Sequence, residues 1–266
     1  MKKLFTFVLS LALVFAFAAC GSTPAPAPAD EPDAEPVTLN VFAAASMTET
    51  LNIIKANYEA EHKNVEVVLT LDSSGTLKTQ IEEGADCDLF ISAAQKQMNA
   101  LEEAGLIDAE TRINLLENKC VLVVPDGNPA GIESYEDLGT DKLSLIALGN
   151  SDVPVGQYSE EIFTYMNIWD KLNSESRITF GTNVKEVTAQ VASGAVDCGI
   201  VYGTDAAVAG LTVVADAPEG SHKPVIYPAA VTSEAANAEA AAEFLDYLKT
   251  DACTAVFTEA GFAIAE

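Results

Sequence analysis

The stretch VTLNVFAAASMTETL, residues 37–51, decides the fold. Residues 37–42 are strand-like. Met47, Leu51, Ile54 and Tyr58 then recur at helical spacing, so a strand passes into a helix through the small residues Ala43, Ala44, Ala45 and Ser46. The same grammar returns downstream. VEVVLTL (65–71) is rich in β-branched residues, and Leu77 and Ile81 begin a short helix that Gly84 can end. DLFIS (88–92) is a third strand, followed by a helix over 94–104 with Gly105 at its C-terminal cap. A second series reads KCVLVVP (119–125), LSLIALG (143–149), a helix over 157–169, SRITF (176–180), a helix over 184–193 stopped by Gly194, and CGIVY (198–202). Such alternation predicts an α/β fold of largely parallel sheets with helices on both faces. Two series in about 230 residues predict two α/β lobes. The tail, 234–249 and 251–260, is helical and needs a surface for Phe244, Leu245, Leu248 and Phe257; composition does not say which lobe supplies it.

The chain has 266 residues, 49% of them hydrophobic, enough for a sizeable core and too little patterned for a collagenous, coiled-coil or small disulfide scaffold. Forty Asp and Glu against 14 Lys and Arg leave a formal charge of -26. Nucleic acid is therefore not an expected partner, since affinity for phosphate backbones needs clustered cations. Arginine occurs only as Arg112 and Arg177, so an anion recognised here is not held by a cluster of guanidinium forks.

Residues 1–20 read as an export signal: Lys2 and Lys3, an apolar run from residue 4 to 19, then Ala18-Ala19-Cys20-Gly21. The run is short for a membrane span of roughly 20 residues. Small residues before Cys20 resemble a lipobox, at which bacterial lipoproteins are cleaved and acylated; Phe17 departs from the usual Leu or Val, and a plain secretory signal is the alternative. Acyl chains on Cys20 would hold the protein at a membrane surface through lipid alone. Residues 21–36, GSTPAPAPADEPDAEP, are too rich in Pro, Ala and acid to pack and read as a semi-rigid spacer.

Cys87, Cys120, Cys198 and Cys253 all lie in apolar stretches and read as buried free thiols, with one disulfide as the alternative. No CxxC occurs and His62 and His222 are isolated, which disfavours a zinc site; no cofactor is expected.

Four strand-to-helix junctions carry unusual content. They are 43–46, where Ser46 and Glu49 match a capping box; 72–76 (DSSGT); 150–156 (NSDVPVG); and 181–184 (GTNV), where Asn183 and Glu186 match another. Each of Ser46, Ser73 or Ser74, and Asn183 alone is an ordinary helix cap. Together the junctions are small, hydroxylated and free of Lys, Arg and His, so neutral donors at helix N-termini could hold a dehydrated dianion without a counter-charge. Tyr202 ends an apolar strand; it reads as a core or rim aromatic, or as one more donor.

These junctions resemble the periplasmic molybdate-binding proteins of ABC transporters. The matching segments are VFAAASMTETL (41–51), SSGTLKTQIEEGADCDLFISA (73–93), VPVGQYS (153–159), NVKEV (183–187), GIVYGTDA (199–206) and SHKPVIYPAAV (221–231). The resemblance implies ligands to the oxyanion at the hydroxyls and amides of Ser46 and Ser74, the amides of Val155 and Val184, and the phenol of Tyr202. Gly75 stands where a serine can occur in the family. It also implies the two-lobed periplasmic-binding-protein fold, with 37–118 plus 229–266 as the first lobe and 119–228 as the second. Crossings are expected near 118–121 and 227–230, with the C-terminal helices on the first lobe. The implied ligand is molybdate, with tungstate beside it; the implied partners are an ABC permease and its ATPase subunits, and the implied protein is a monomer outside the cell, lipid-anchored to its membrane.

Sulfate or phosphate is the nearest alternative ligand, and Asp72, Asp152 and Asp205 are close enough in sequence to accept a phosphate proton. An amino-acid or sugar-acid receptor would be expected to offer an arginine or aspartate, and an iron receptor several Tyr, His or carboxylate ligands. A serine hydrolase using Ser46 or Ser74 lacks a G-x-S-x-G elbow and a histidine with an orienting partner, so no enzyme activity is expected.

Overall fold

The computed structural model describes residues 35–265. The expected export signal 1–20, the expected acylation site Cys20 and the expected spacer as far as residue 34 lie outside the described residues. Two sheets organise the rest. The first has the strand order β11-β4-β10-β3-β1-β2 and the second β7-β6-β8-β5-β9, where β1 is Val37–Ala44, β2 Val65–Asp72, β3 Leu89–Ile91, β4 Ile113–Asn118, β5 Cys120–Val124, β6 Ile146–Gly149, β7 Ile178–Gly181, β8 Cys198–Tyr202, β9 Thr212–Asp216, β10 Val225–Val231 and β11 Ala263–Ile264.

Side-chain alternation along β1 explains why this sheet is covered twice. Leu39, Val41 and Ala43 join the large core. Phe42 points the other way and packs with Phe90, Ala230, Leu77, Ile81, Met98 and Leu101, the last four from α2 (Ser74–Glu82) and α3 (Gln95–Glu103). The opposite face is closed by α1 (Thr48–Glu61), α8 (Ala238–Tyr247) and α9 (Asp251–Glu259), which settles where the tail goes. Phe244 and Phe257 are fully buried, and the Tyr58 ring meets Phe244 edge-on at 4.8 Å. Each such side chain contributes about 1.5–3 kcal/mol of burial.

Parallel pairing is confined to β2-β1-β3 and β7-β6-β8. β10 runs antiparallel to β3 and β4, and β5 antiparallel to β8 and β9. The expectation of largely parallel sheets fails at these strands for a simple reason. They are entered from the other sheet instead of through a βα crossover, so no right-handed crossover dictates their direction. One passage between sheets is the single residue Lys119, between the end of β4 and the start of β5. The other was expected near 227–230. It lies at 217–224, because Val225 already pairs with Asn118 in the first sheet, so residues 225–228 also belong there and not to the second lobe.

Local signals set the helix ends. Gly84, Gly105 and Gly194 follow α2, α3 and α6 (Val184–Ala192) with positive φ of 86°, 73° and 70°. Pro154 opens α4 (Pro154–Tyr165), three residues before the expected start, since proline supplies a helical φ and no N–H that needs a partner. The short α5 (Trp169–Ser174) and α7 (Gly203–Ala209) complete the second half. All four described cysteines are free and buried, and burial raises every thiol pKa, so none is primed for reaction. Among the described residues no helix is long and apolar enough to cross a membrane.

Candidate functional site

Register brings the junctions together. β1 and β2 pair in parallel from Val37 opposite Val65 to Ala44 opposite Asp72, so Ser46 and Ser74 each stand two residues beyond neighbouring strand ends. In the second sheet Gly149 lies opposite Gly181, and α4 and α6 start shortly after them. Ser46, Ser74, Val155, Val184 and Tyr202 all line one cavity, together with Ala44, Ala45, Asp72, Ser73, Ala93, Val153 and Pro154. It leaves only about 10 Å³ for the centre of a water-sized sphere. That is about the room one ordered water needs, far below the hundreds of cubic ångströms of a pocket for drug-sized ligands, so an anion held here would stand between walls slightly further apart.

The donors are distributed over both halves. Ser74 and Val184 are first residues of α2 and α6, and Val155 is the second residue of α4; such first-turn amides have no intrahelical partner and carry the positive end of the helix dipole. The Ser74 hydroxyl oxygen accepts the Ala93 N–H at 2.9 Å, which leaves its own proton free to donate. Tyr202 closes β8, is 2% exposed, and its hydroxyl has no hydrogen-bond partner. Burial holds its pKa well above the ordinary value, so the phenol keeps its proton. An orphaned buried hydroxyl facing a cavity costs stability unless something there accepts from it.

Two of the expected caps form and one does not. Ser73 accepts from the Thr76 N–H, and Asn183 from the Glu186 N–H at 3.1 Å. Ser46 caps nothing. A 3₁₀ turn over Ala45–Met47 displaces the start of α1 to Thr48, the cap position falls to Met47, and the Ser46 hydroxyl turns to the Tyr227 hydroxyl at 2.9 Å. Glu49 is likewise diverted. Its carboxylate meets Lys185 Nζ at 2.9 Å across the two halves.

Lys185 has no counterpart in the sequence reading, which saw junctions without cations. It follows Val184 directly and also lies 3.1 Å from Asp205 Oδ1, an ion pair without a well-directed hydrogen bond, so neither Asp205 oxygen has an aligned donor. Burial raises the Asp205 pKa to about 6, opposed by Lys185. For Lys185 itself burial pulls downward, but Asp205 and Glu49 outweigh it and the pKa rises. The ammonium is therefore spent on two acids and is absent from the cavity lining. A second contact across the halves runs from Asn183 Nδ2 to Asp72 Oδ1 at 3.3 Å. The arginines are elsewhere: Arg112 meets Glu102, Gln95 and Asn99, and Arg177 the carbonyls of Thr140 and Leu143. Neither Ser46 nor Ser74 is hydrogen-bonded to a histidine; His62 stacks on Tyr58 and His222 Nδ1 pairs with the Lys223 carbonyl.

Residues 39–263 match the family of bacterial extracellular solute-binding proteins. The molybdate-binding protein ModA of Haemophilus influenzae is 39% identical over 235 residues, covering 86% of this chain and 91% of its own. A Bacillus subtilis protein, provisionally named as the ABC transporter substrate-binding lipoprotein YvgL, is 36% identical over 228 residues, 85% of this chain and 86% of its own. The solved structure of the Azotobacter vinelandii periplasmic molybdate-binding protein superposes with a TM-score of 0.76 at 25% identity, over 86% of this chain and all of that one. With its two-lobed α/β fold and a cavity between strand ends of both halves, the chain belongs to the bacterial extracellular solute-binding protein family, alongside its molybdate-binding members.

Proposed function

We propose that this protein captures molybdate, and tungstate with it, in the cavity between its two halves and delivers the anion to the permease and ATPase subunits of an ABC transporter. The observation that carries the reading is the buried Tyr202 hydroxyl, unpartnered and lining the same small cavity as Ser46, Ser74, Val155 and Val184. Neutral hydroxyls and first-turn amides suit a fully ionised tetrahedral oxyanion, which accepts hydrogen bonds on every oxygen and donates none. Among the described residues no group of three or more His, Cys, Asp or Glu could hold a bare metal cation. The reading assigns no catalysis and no cofactor. The relatives' names support it: one binds molybdate and the other is named a lipoprotein. By the same reading Cys20 is the acylated mature N-terminus, a monomer hangs from the outer face of the cell membrane, and mass spectrometry finding any other N-terminal residue on freely released protein would refute the anchor.

Asp72 lines the cavity, and one of its oxygens is occupied by the Ser73 N–H and Asn183. Its carboxylate makes protonated phosphate the competitor to measure beside sulfate. Calorimetric titration with molybdate, tungstate, sulfate and phosphate decides. Molybdate and tungstate should bind nearly alike. Sulfate, too small to reach every donor at once, should bind more weakly by about tenfold for the loss of one charged hydrogen bond to as much as about ten-thousandfold for the loss of two. Equal or tighter binding of sulfate or phosphate overturns the proposal.

A further inference from the structure

We propose that Asn118 and Tyr227 are positioning residues that aim the Ser46 hydroxyl proton into the cavity, a role that rests on the oxyanion reading above. The direction of the hydrogen-bond chain follows from donors that have no choice. The Lys119 backbone N–H can only donate, and at 2.9 Å it fixes Asn118 Oδ1 as the acceptor end of that amide. Asn118 Nδ2 then faces the other way with two protons, one to Thr204 Oγ1 at 2.9 Å and one to the Tyr227 hydroxyl at 3.4 Å. Tyr227 accepts there, so its single proton goes to its remaining neighbour, the Ser46 oxygen at 2.9 Å. Ser46 is thereby the acceptor of that bond. Its own proton has no protein partner and is left for the cavity that Ser46 lines.

The residues are well placed to hold this order. Tyr227 is fully buried, and burial and the nearby Asp205 carboxylate push its pKa well above the ordinary value, so it stays a donor. Pairing of β10 with β4 slips in register between Tyr227 and Pro228, where the missing N–H interrupts the ladder; Tyr227 stands on the near side of that slip, opposite Leu116. Asn118 ends β4 immediately before the passage at Lys119, and Thr204 belongs to the second half. The polarity of a ligand hydroxyl in the first half is thus tied to the point where the two halves join.

The test is a pair of double-mutant cycles read by molybdate titration and dissociation kinetics on the mature protein. Tyr227→Phe should weaken molybdate binding by about tenfold, through faster dissociation, and should lower the unfolding midpoint of ligand-free protein modestly, since its hydroxyl also bonds Asn118 and Ser46 in the absence of ligand. In a Ser46→Ala background the same change should cost less than about twofold, because no hydroxyl remains to aim. Asn118→Ala should likewise weaken binding in the wild-type background and much less in Tyr227→Phe, which discounts whatever the loss of Thr204 and Lys119 contacts costs in both. Equal factors in both backgrounds, or a Tyr227→Phe protein that binds as wild type, overturn the relay while leaving the oxyanion site standing. A wild-type protein that fails to bind molybdate removes both.

Discussion

Replacing Gly75 by alanine should separate ligand affinity from stability more cleanly than any change to a donor. Gly75 is the second residue of α2 and faces the β6–α4 junction of the other half; a Cβ built on it would stand 2.1 Å from the Asp152 carbonyl oxygen, against backbone that cannot swing aside. Such contacts essentially never fall under 3.0 Å and become ordinary at 3.4 Å, so the halves must part by about 0.9 to 1.3 Å. Ser74 is the neighbour of Gly75, and Val155 follows Asp152 by three residues, so donors on both walls are carried along. A hydrogen bond near 2.9 Å lengthened by an ångström is no longer one. Loss of two bonds to a charged acceptor costs about 3–6 kcal/mol, roughly a hundredfold to ten-thousandfold in Kd. Within α2 itself alanine is the better helix former by up to about 1 kcal/mol, so the ligand-free protein should unfold at the same temperature or slightly higher. Titration of molybdate beside thermal unfolding of the ligand-free protein checks both halves of the claim. A Gly75→Ala protein that binds as wild type would show that the cavity closes without this contact, and the reasoning would fail.

Tyr202→Phe should lower molybdate affinity by about 1.5–3 kcal/mol while ligand-free stability holds or rises, since the deleted hydroxyl has no protein partner; unchanged binding with lost stability would make Tyr202 structural. Lys185→Met should cost about 3–5 kcal/mol of stability at neutral pH by stranding the buried Asp205 carboxylate. Asp205 has a folded-state pKa of about 6 with Lys185 lowering it, so in the variant it rises further; the variant then takes up the proton first and the penalty shrinks as pH falls towards 6. Unfolding midpoints of variant and wild type should therefore converge as pH is lowered from about 8 to about 6 and change little in their difference below that, and a constant gap throughout would refute the assignment. On the proposed reading the anion is held by neutral hydroxyls and amides, so its dissociation should depend weakly on salt; a steep rise in off-rate with ionic strength would call for an ion-pair site instead.

The strand-to-helix junctions were legible because they are written locally: β-branched runs, small residues after them, and glycines where helices stop. What was missed depends on partners far apart in sequence. Ser46 has the spacing of a capping box, yet a 3₁₀ turn and the Tyr227 hydroxyl, 181 residues away, take its side chain. Lys185 sits one position past a junction that read as uncharged, and only the packing of α1, α6 and α7 shows that Glu49 and Asp205 neutralise it. β4 and β9 lack long apolar runs because their faces are only partly buried, so INLLEN and TVVAD carry little periodicity. Gly75 stood out only as a place where a serine can occur in the family the sequence resembles. Its constraint is a carbonyl on the opposite wall, which no local pattern encodes.

Contact between the halves bears directly on how an oxyanion would be sized. In a cleft that closes on whatever it holds, a smaller ligand could be met by tighter closure, and donors on opposite walls would follow it inward. Here the backbone of Gly75 already meets the Asp152 carbonyl so closely that no room remains even for a methyl group. The Asp72–Asn183 and Glu49–Lys185 contacts are likewise at or within hydrogen-bonding range at this separation. Further approach is blocked by backbone rather than by adjustable side chains, so the distance between the Ser74 wall and the Val155 wall has a lower limit set by the fold. A tetrahedral anion smaller than that limit leaves some donors unpaired, and each buried donor left unpaired carries its desolvation cost. On the proposed reading this stop fixes only the least separation of the walls; the space left there is about that of one water, so an oxyanion would be gripped with the walls slightly further apart, where the fixed placing of hydroxyls and amides favours the larger dianions that reach them all.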